Sequence, residues 1–245
     1  MSQRRAAHSR SLGGTGFYFD MNEIRISTSE ELFGVFAKQE YSCYRGVSDS
    51  KYTLVPKIGR FPSFAPIRLE KQILNKFKDL AIPHIDKIPK DDWEWLALSQ
   101  HHGLATRLLD WTHNPFVAAF FAVENISHSD GAIYFFKIGE AADNIYWEKD
   151  TDPFVVKKVG VFHPPHISTR ITVQAGLFTI HPDPNQPFEH DKITKLVLPK
   201  NLKLNLKLLL DGMGIHRFSA FPDLDGLSRF LNFLHERLDD SLRGH

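Results

Sequence analysis

Residues 91–125, DDWEWLALSQHHGLATRLLDWTHNPFVAAFFAVEN, constrain this chain more than any other stretch. Residues 116–123 are apolar on every side, and a helix of that kind is stable only when buried. Asn114 followed by Pro115 is a helix start, because proline at the first helical position gives up no needed N–H. Upstream, Asp91 is placed to cap a first helix, with Glu94 three residues on as the second half of a capping box. Gly103 is placed to close that helix in a left-handed conformation. The pattern predicts two helices joined by a short polar turn that carries Thr106, Arg107, Asp110, Trp111, Thr112 and His113. A buried helix whose start faces polar groups favours phosphate or carboxylate nearby, through its dipole and free N–H groups.

Elsewhere the pattern alternates between helix and strand. Residues 1–16 read as a flexible basic tail hinged at Gly13 and Gly14, and residues 17–245 as one domain. Thr28 with Glu31 caps a helix over Leu32, Val35 and Phe36. EYSCYRG, residues 40–46, alternates as a strand with Tyr41, Cys43 and Arg45 on one face and Ser42 and Tyr44 on the other. Residues 51–66 read as loop; Lys57 and Arg60 sit in it, either to close over a ligand or as solvated charges. Residues 68–82 predict an amphipathic helix with Leu69, Ile73, Phe77 and Leu80 on one side. GAIYFFKI, residues 131–138, predicts a buried strand, and residues 145–156 a weak strand pair. RITVQAGLFTI, residues 170–180, sets Arg170, Thr172 and Gln174 on one face of a further strand. Residues 192–198 predict a strand, 202–210 a helix, and the leucines from Leu224 to Leu238 a closing helix. The expectation is an α+β fold, a single domain with a mixed or antiparallel sheet core and packed helices.

Composition removes several functions. One cysteine excludes an internal disulfide and a cysteine-rich zinc site. A net charge of +1 announces no global nucleic-acid field. No stretch is apolar and long enough to span a bilayer, and the N-terminus lacks an apolar signal core, so a cytoplasmic protein without membrane partners is expected. There is no glycine-rich phosphate loop, no HExxH and no serine elbow. The scattered histidines lack ligand spacing, so no metal is expected. Cys43 reads as a small buried thiol rather than a nucleophile.

The set left over suits a phosphate-bearing ligand. Arg45 and Arg107 offer forked donors. Thr106, Thr112 and the helix start at Asn114 offer hydroxyls and N–H groups, while Gln100, His101, Asp110 and Gln174 can orient a sugar or a nucleophile. Tyr44 can stack on a base. Trp111 reads as core. Arg107 and Asp110 have a second reading, a buried ion pair that pins the turn.

Tyr44-Arg45-Gly46, Gln100-His101-His102-Gly103 and Thr106 through Thr112 together resemble the FRG domain, named for a Phe-Arg-Gly motif. The likeness continues through Asn114-Pro115, Phe120-Phe121-Ala122, Arg170-Ile171 with Gln174 and Phe178, and the residues 221–227, so it is read across about residues 24–235. Tyr44 stands where the motif has Phe, and Ala105 where Pro is usual. The resemblance implies a bacterial, phage-associated protein. A looser resemblance links the chain to ADP-ribosyltransferases, which set an early-strand Arg against the NAD phosphates and a later-strand Glu or Gln against the ribose. It implies NAD as substrate, with Arg45 and Gln174 in those two places and Thr112 or Thr172 as the middle hydroxyl; joined to the polar turn, it gives a catalytic set of Arg45, Gln174, Asp110 and His101. The binding set expected with it is Arg45, Tyr44, Gly46, Gln100, Thr106, Arg107 and Thr112. With no Glu on the later strand, and an amide that takes no proton, either Asp110 acts as base or the acceptor is already nucleophilic. Three activities stay open. One is an ADP-ribosyltransferase-like toxin or phage-defence enzyme that modifies a nucleic acid or protein and is held in check by an antitoxin. The second is a non-catalytic nucleotide or nucleic-acid binding module, and the third a metal-independent ribonuclease.

Overall fold

The computed structural model describes residues 22–38, 42–63, 65–126, 128–145, 151–164 and 175–243. The predicted basic tail and Arg170, Thr172 and Gln174 lie outside them. In chain order the elements are β1 (Asn22–Arg25), α1 (Ser29–Phe36), β2 (Ser42–Val47), α2 (Ala65–Ala81), α3 (Asp92–His101), β3 (Leu108–Thr112) and α4 (Pro115–Val123). There follow β4 (Gly131–Lys137), β5 (Asp143–Asn144), β6 (Gly160–Phe162), β7 (Gly176–Ile180), β8 (Thr194–Leu198), α5 (Lys203–Gly212), α6 (Arg217–Ala220) and α7 (Leu224–Arg243).

The strands form one eight-stranded mixed sheet in the order β1-β8-β4-β2-β3-β7-β6-β5. The outermost pairs, β1 with β8 and β5 with β6, are parallel; the pairs between them are antiparallel. The fold is α+β. No helix among the described residues is long and apolar enough to cross a membrane.

Three apolar clusters hold the sheet. On one face α1, α4 and α5 pack over Tyr44, Ile133, Phe135 and Leu196. Further along that face α2 and α3 pack over Leu108, Phe178 and Ile180. Register puts both clusters on the same side, because Tyr44 is opposite Thr112 and Leu108 is opposite Ile180. The other face is closed by Cys43, Leu109, Trp111, Phe136, Leu177 and Phe188.

Helix α4 is seated by two glycines. A Cβ on Gly46 would lie 1.8 Å from the Ala118 carbonyl oxygen, and one on Gly131 would lie 2.4 Å from that of Ala122. Ala118 and Ala122 are one helical turn apart, so α4 crosses β2 and β4 with its backbone against theirs. Its C-terminal carbonyls are bonded by lysines of α5: Lys207 Nζ donates to Glu124 O at 3.1 Å and Lys203 Nζ to Asn125 O at 3.1 Å. Cations there also complement the helix dipole.

The helix starts follow the sequence closely. Thr28 and Asp91 accept from the N–H groups of Glu31 and Glu94, and Asn114 accepts from Phe116. Glu31 and Glu94 reach back one residue further than the capping box requires, to the N–H groups of Ser27 and Lys90. Gly103 adopts φ 88°, as its closing role demands.

Three expectations are corrected. The polar turn between the two helices is instead β3, since Leu108, Leu109, Trp111 and Thr112 are all buried between β2 and β7. Helix α2 packs through Leu74, Phe77 and Ala81, leaving Leu69 43%, Ile73 44% and Leu80 64% exposed. In the expected strand pair at 145–156, Pro153–Val155 is a single 3₁₀ turn held by Asp152, whose carboxylate accepts from the Phe154 N–H.

Candidate functional site

Strands β2 and β3 share one registered pair, Tyr44 with Thr112, whereas β2 and β4 share six. Arg45 follows that pair, and its guanidinium bridges to β3. Nη1 donates to the Asp110 carbonyl at 2.6 Å and reaches the Asp110 carboxylate at 3.4 Å. The two differ in exposure: the Arg45 side chain is 17% accessible and that of Asp110 58%. A second donor fixes the carboxylate, Gln100 Nε2 at 3.1 Å from Oδ2. Gln100 is itself oriented by Thr106, whose hydroxyl donates to Oε1 at 2.7 Å and accepts from the Leu108 N–H at 3.1 Å. The Thr106 proton therefore points at the amide oxygen, and the amide nitrogen is left for Asp110.

Around this carboxylate lies a cleft of about 620 Å³. Its polar side carries Arg45, Lys57, Gln100, His101, His102 and Asp110; its apolar walls include Tyr44, Leu104, Val117, Phe121 and Phe178. The cleft opens in the gap between the two helix clusters, between the end of α3 and the side of α4, and Arg45 joins it from the Cys43 side of β2, where β2 and β3 share only one pair. Sites for small ligands are of this kind, roughly 300–1,000 Å³ with a few convergent polar groups.

Most residues singled out in the sequence converge here: Tyr44, Arg45, Gly46, Gln100, His101, Asp110 and Thr112 all line the cleft. Several of them also serve the fold. Tyr44 is core, Gly46 seats α4, and the Thr112 hydroxyl accepts from the Asn114 N–H at 3.0 Å. Two assigned residues do not line the cleft. Thr106 is fully buried and acts through Gln100. Arg107 is buried against Glu70 of α2: its N–H donates to Oε1 at 2.8 Å and Nε to Oε2 at 2.9 Å, with Phe154 beneath the guanidinium. The ion pair read as Arg107 with Asp110 is thus Arg107 with Glu70. Burial pushes the Glu70 carboxyl above its ordinary value, and Arg107 opposes that rise. Trp111 is core, as read, against Phe136 and Phe188. Gln174 lies outside the described residues, though its neighbour Ala175 accepts from the His113 N–H at 3.1 Å. The start of α4 is closed by Asn114 and stands outside the cleft lining.

Sequence reasoning missed Glu70 and His181. Glu70 was detectable as a charged residue in the row Glu70, Leu74, Phe77, Ala81, spaced for one helix face. His181 gave no such signal. It is buried beside Thr179, with its Nε2 2.8 Å from the hydroxyl, and Thr179 also accepts from the Trp111 indole at 2.9 Å. Burial, then the charges of Arg45 and Arg107, push His181 down to about 3, so it stays neutral at physiological pH. Cys43 is buried as expected, and burial pushes its thiol up to about 12. Among the described residues no three histidine, cysteine or acidic side chains converge as metal ligands.

Neither the curated proteins nor the solved structures contain a match to this chain. A family model does match, over residues 40–131. That span is narrower than the resemblance read across residues 24–235, yet it holds the whole cleft lining except Gly176, Leu177 and Phe178. The matched family is the FRG domain, and the chain carries that domain at residues 40–131.

Proposed function

We propose that the cleft binds NAD and transfers its ADP-ribosyl group to a nucleic acid or protein acceptor. The observation that carries this reading is the Asp110 carboxylate, exposed in the cleft and aimed by Gln100 and Arg45. A fixed carboxylate suits a reaction that builds positive charge on a ribose, because it stabilises that charge without having to reorganise. The apolar walls suit the rings of a dinucleotide, and the cationic side suits its phosphates.

In this reading the bond between ribose C1′ and nicotinamide breaks, with its electron pair leaving on the neutral nicotinamide. An acceptor oxygen or nitrogen forms the new bond to C1′ and gives up a proton, which Asp110 takes and passes to water. His101 orients the acceptor at the end of α3. Such chemistry in a bacterial cell fits a toxin or phage-defence role and an antitoxin partner.

Asp110→Asn is expected to lower NAD turnover by about 10²-fold or more, the range for loss of a positioned base. Its melting temperature should stay close to that of the wild type, since the side chain is mostly exposed. The assay is nicotinamide release, with label transfer from NAD to RNA, DNA or protein. Absence of both turnover and calorimetric NAD binding removes the reading.

A second reading has its own support. Arg45 already engages Asp110, so the pair can serve recognition alone. A non-catalytic nucleotide module predicts binding that weakens in Arg45→Ala, with no covalent change in any substrate.

A further inference from the structure

The one-turn 3₁₀ segment Lys57–Arg60 is a bracket beside the cleft. Ile58 is buried, and its N–H donates to the Thr106 carbonyl at 3.4 Å. Gly59 lies so close to the opposing chain that a Cβ would meet the Pro184 carbonyl oxygen at 1.7 Å. Lys57 Nζ donates to the Gly103 carbonyl at 2.7 Å, and Arg60 Nε to the Val55 carbonyl at 2.9 Å. In a 3₁₀ turn residues three apart stand on one edge, which sets Lys57 and Arg60 side by side.

Arg60 has Arg45, Asp110 and Tyr52 as its charged or titratable neighbours, and burial together with the Arg45 charge holds it below the ordinary arginine value. Among the described residues its only hydrogen bond is the one through Nε, so both Nη groups keep their donors. Lys57 and Arg45 line the cleft itself. Arg60 is not part of that lining, but it lies near enough to Arg45 and Asp110 to feel both charges, so three cations are gathered near one exposed carboxylate, Asp110, with His181 neutral and adding no charge. Two guanidinium groups held near each other at partial burial are unfavourable unless an anion joins them. The excess of two positive charges equals the charge on the diphosphate of a dinucleotide, and arginine forks match phosphate oxygens in pairs.

We infer that Arg45 and Lys57 form the diphosphate subsite of the cleft, with the turn Lys57–Arg60 as its fixed wall and Arg60 adding its charge from beside the lining. This rests on the reading of the cleft as a nucleotide site.

The test is calorimetry on the full chain with ADP, AMP, adenosine and inorganic pyrophosphate. ADP is expected to bind about tenfold or more tighter than adenosine, with AMP between them. Arg60→Gln and Lys57→Met should each weaken ADP about tenfold and leave adenosine unchanged. Adenosine binding as tightly as ADP overturns the subsite, and that comparison needs no variant. So does ADP affinity unchanged in both variants, or single-stranded RNA binding in preference to ADP, which would give the cations to a polymer backbone. Failure here and failure of the transferase reading are separable. A preference for ADP with no NAD turnover keeps the subsite and removes the transferase. NAD turnover with unaltered KM in both variants removes the subsite and keeps the transferase.

Discussion

Replacing Gly46 by alanine should cost the protein about 3 kcal/mol or more, a large share of the roughly 5–15 kcal/mol that keeps an ordinary domain folded. The added methyl would stand 1.8 Å from the Ala118 carbonyl oxygen and 2.8 Å from the Ala122 nitrogen. Both are backbone atoms in the middle of α4, so no side-chain rotation relieves the clash. The helix would have to lift from β2, which opens the largest core cluster. Gly34→Ala is the matched control. It lies within α1 and a Cβ there meets nothing within 4 Å. Alanine at that position should raise stability by roughly 0.5–1 kcal/mol through helix propensity. Urea denaturation of both variants checks the pair. Equal midpoints would mean that α4 is not seated on β2 in this way. The glycine of the Tyr-Arg-Gly motif is thereby explained by packing, without any ligand.

The second large effect falls on the Arg107–Glu70 pair, whose side chains are 7% and 3% exposed. Arg107→Ala and Glu70→Ala should each destabilise the fold by about 3–5 kcal/mol, because each leaves one charge buried without its partner. Arg107→Met with Glu70→Leu should cost less than either single change, since no charge is then stranded. The pH dependence has a definite sign. Glu70 is held above its ordinary value of 4.5, chiefly by burial, so the native state keeps the proton to a higher pH than the unfolded chain does. Its contribution is complete below that ordinary value and is lost as pH rises through the raised one. Removing Arg107 takes away the attraction that limits this rise. Arg107→Ala should therefore lose more stability at pH 7 than at pH 5, measured by denaturant titration at each. A uniform loss across that range would show that Glu70 is not the group responsible. Because Arg107 does not line the cleft, whatever part of the variant stays folded should keep the wild-type affinity for ADP.

What the sequence made legible was local. The caps at Thr28, Asp91 and Asn114, the stop at Gly103 and strand β4 depend on residues within a few positions of each other, and each is where the spacing placed it. Strand β3 was hidden because its five residues gain their strand character from β2 and β7, which are far away in the chain. Helix α2 offered two apolar rows. The one that packs contains Glu70, and only the distant Arg107 makes that row the inward one. The cleft was legible as a list of residues, since Arg45, Gln100, His101 and Asp110 do meet. The jobs of those residues were not legible. Whether Arg107 faces a ligand or a glutamate, and whether Gly46 admits a guest or a helix, depends on what crosses above the strand.

Cys43 gives the chain a property that reaches past its own packing. It is the chain's single thiol, sits on β2 two residues before Arg45, and is wholly enclosed with its acidity suppressed to about 12. A disulfide reagent therefore reacts only in molecules where the central strand has come loose, since the thiolate is the attacking species. The rate of that labelling is a native clock for breathing at the heart of the sheet, and a guest that clasps Arg45 should slow it.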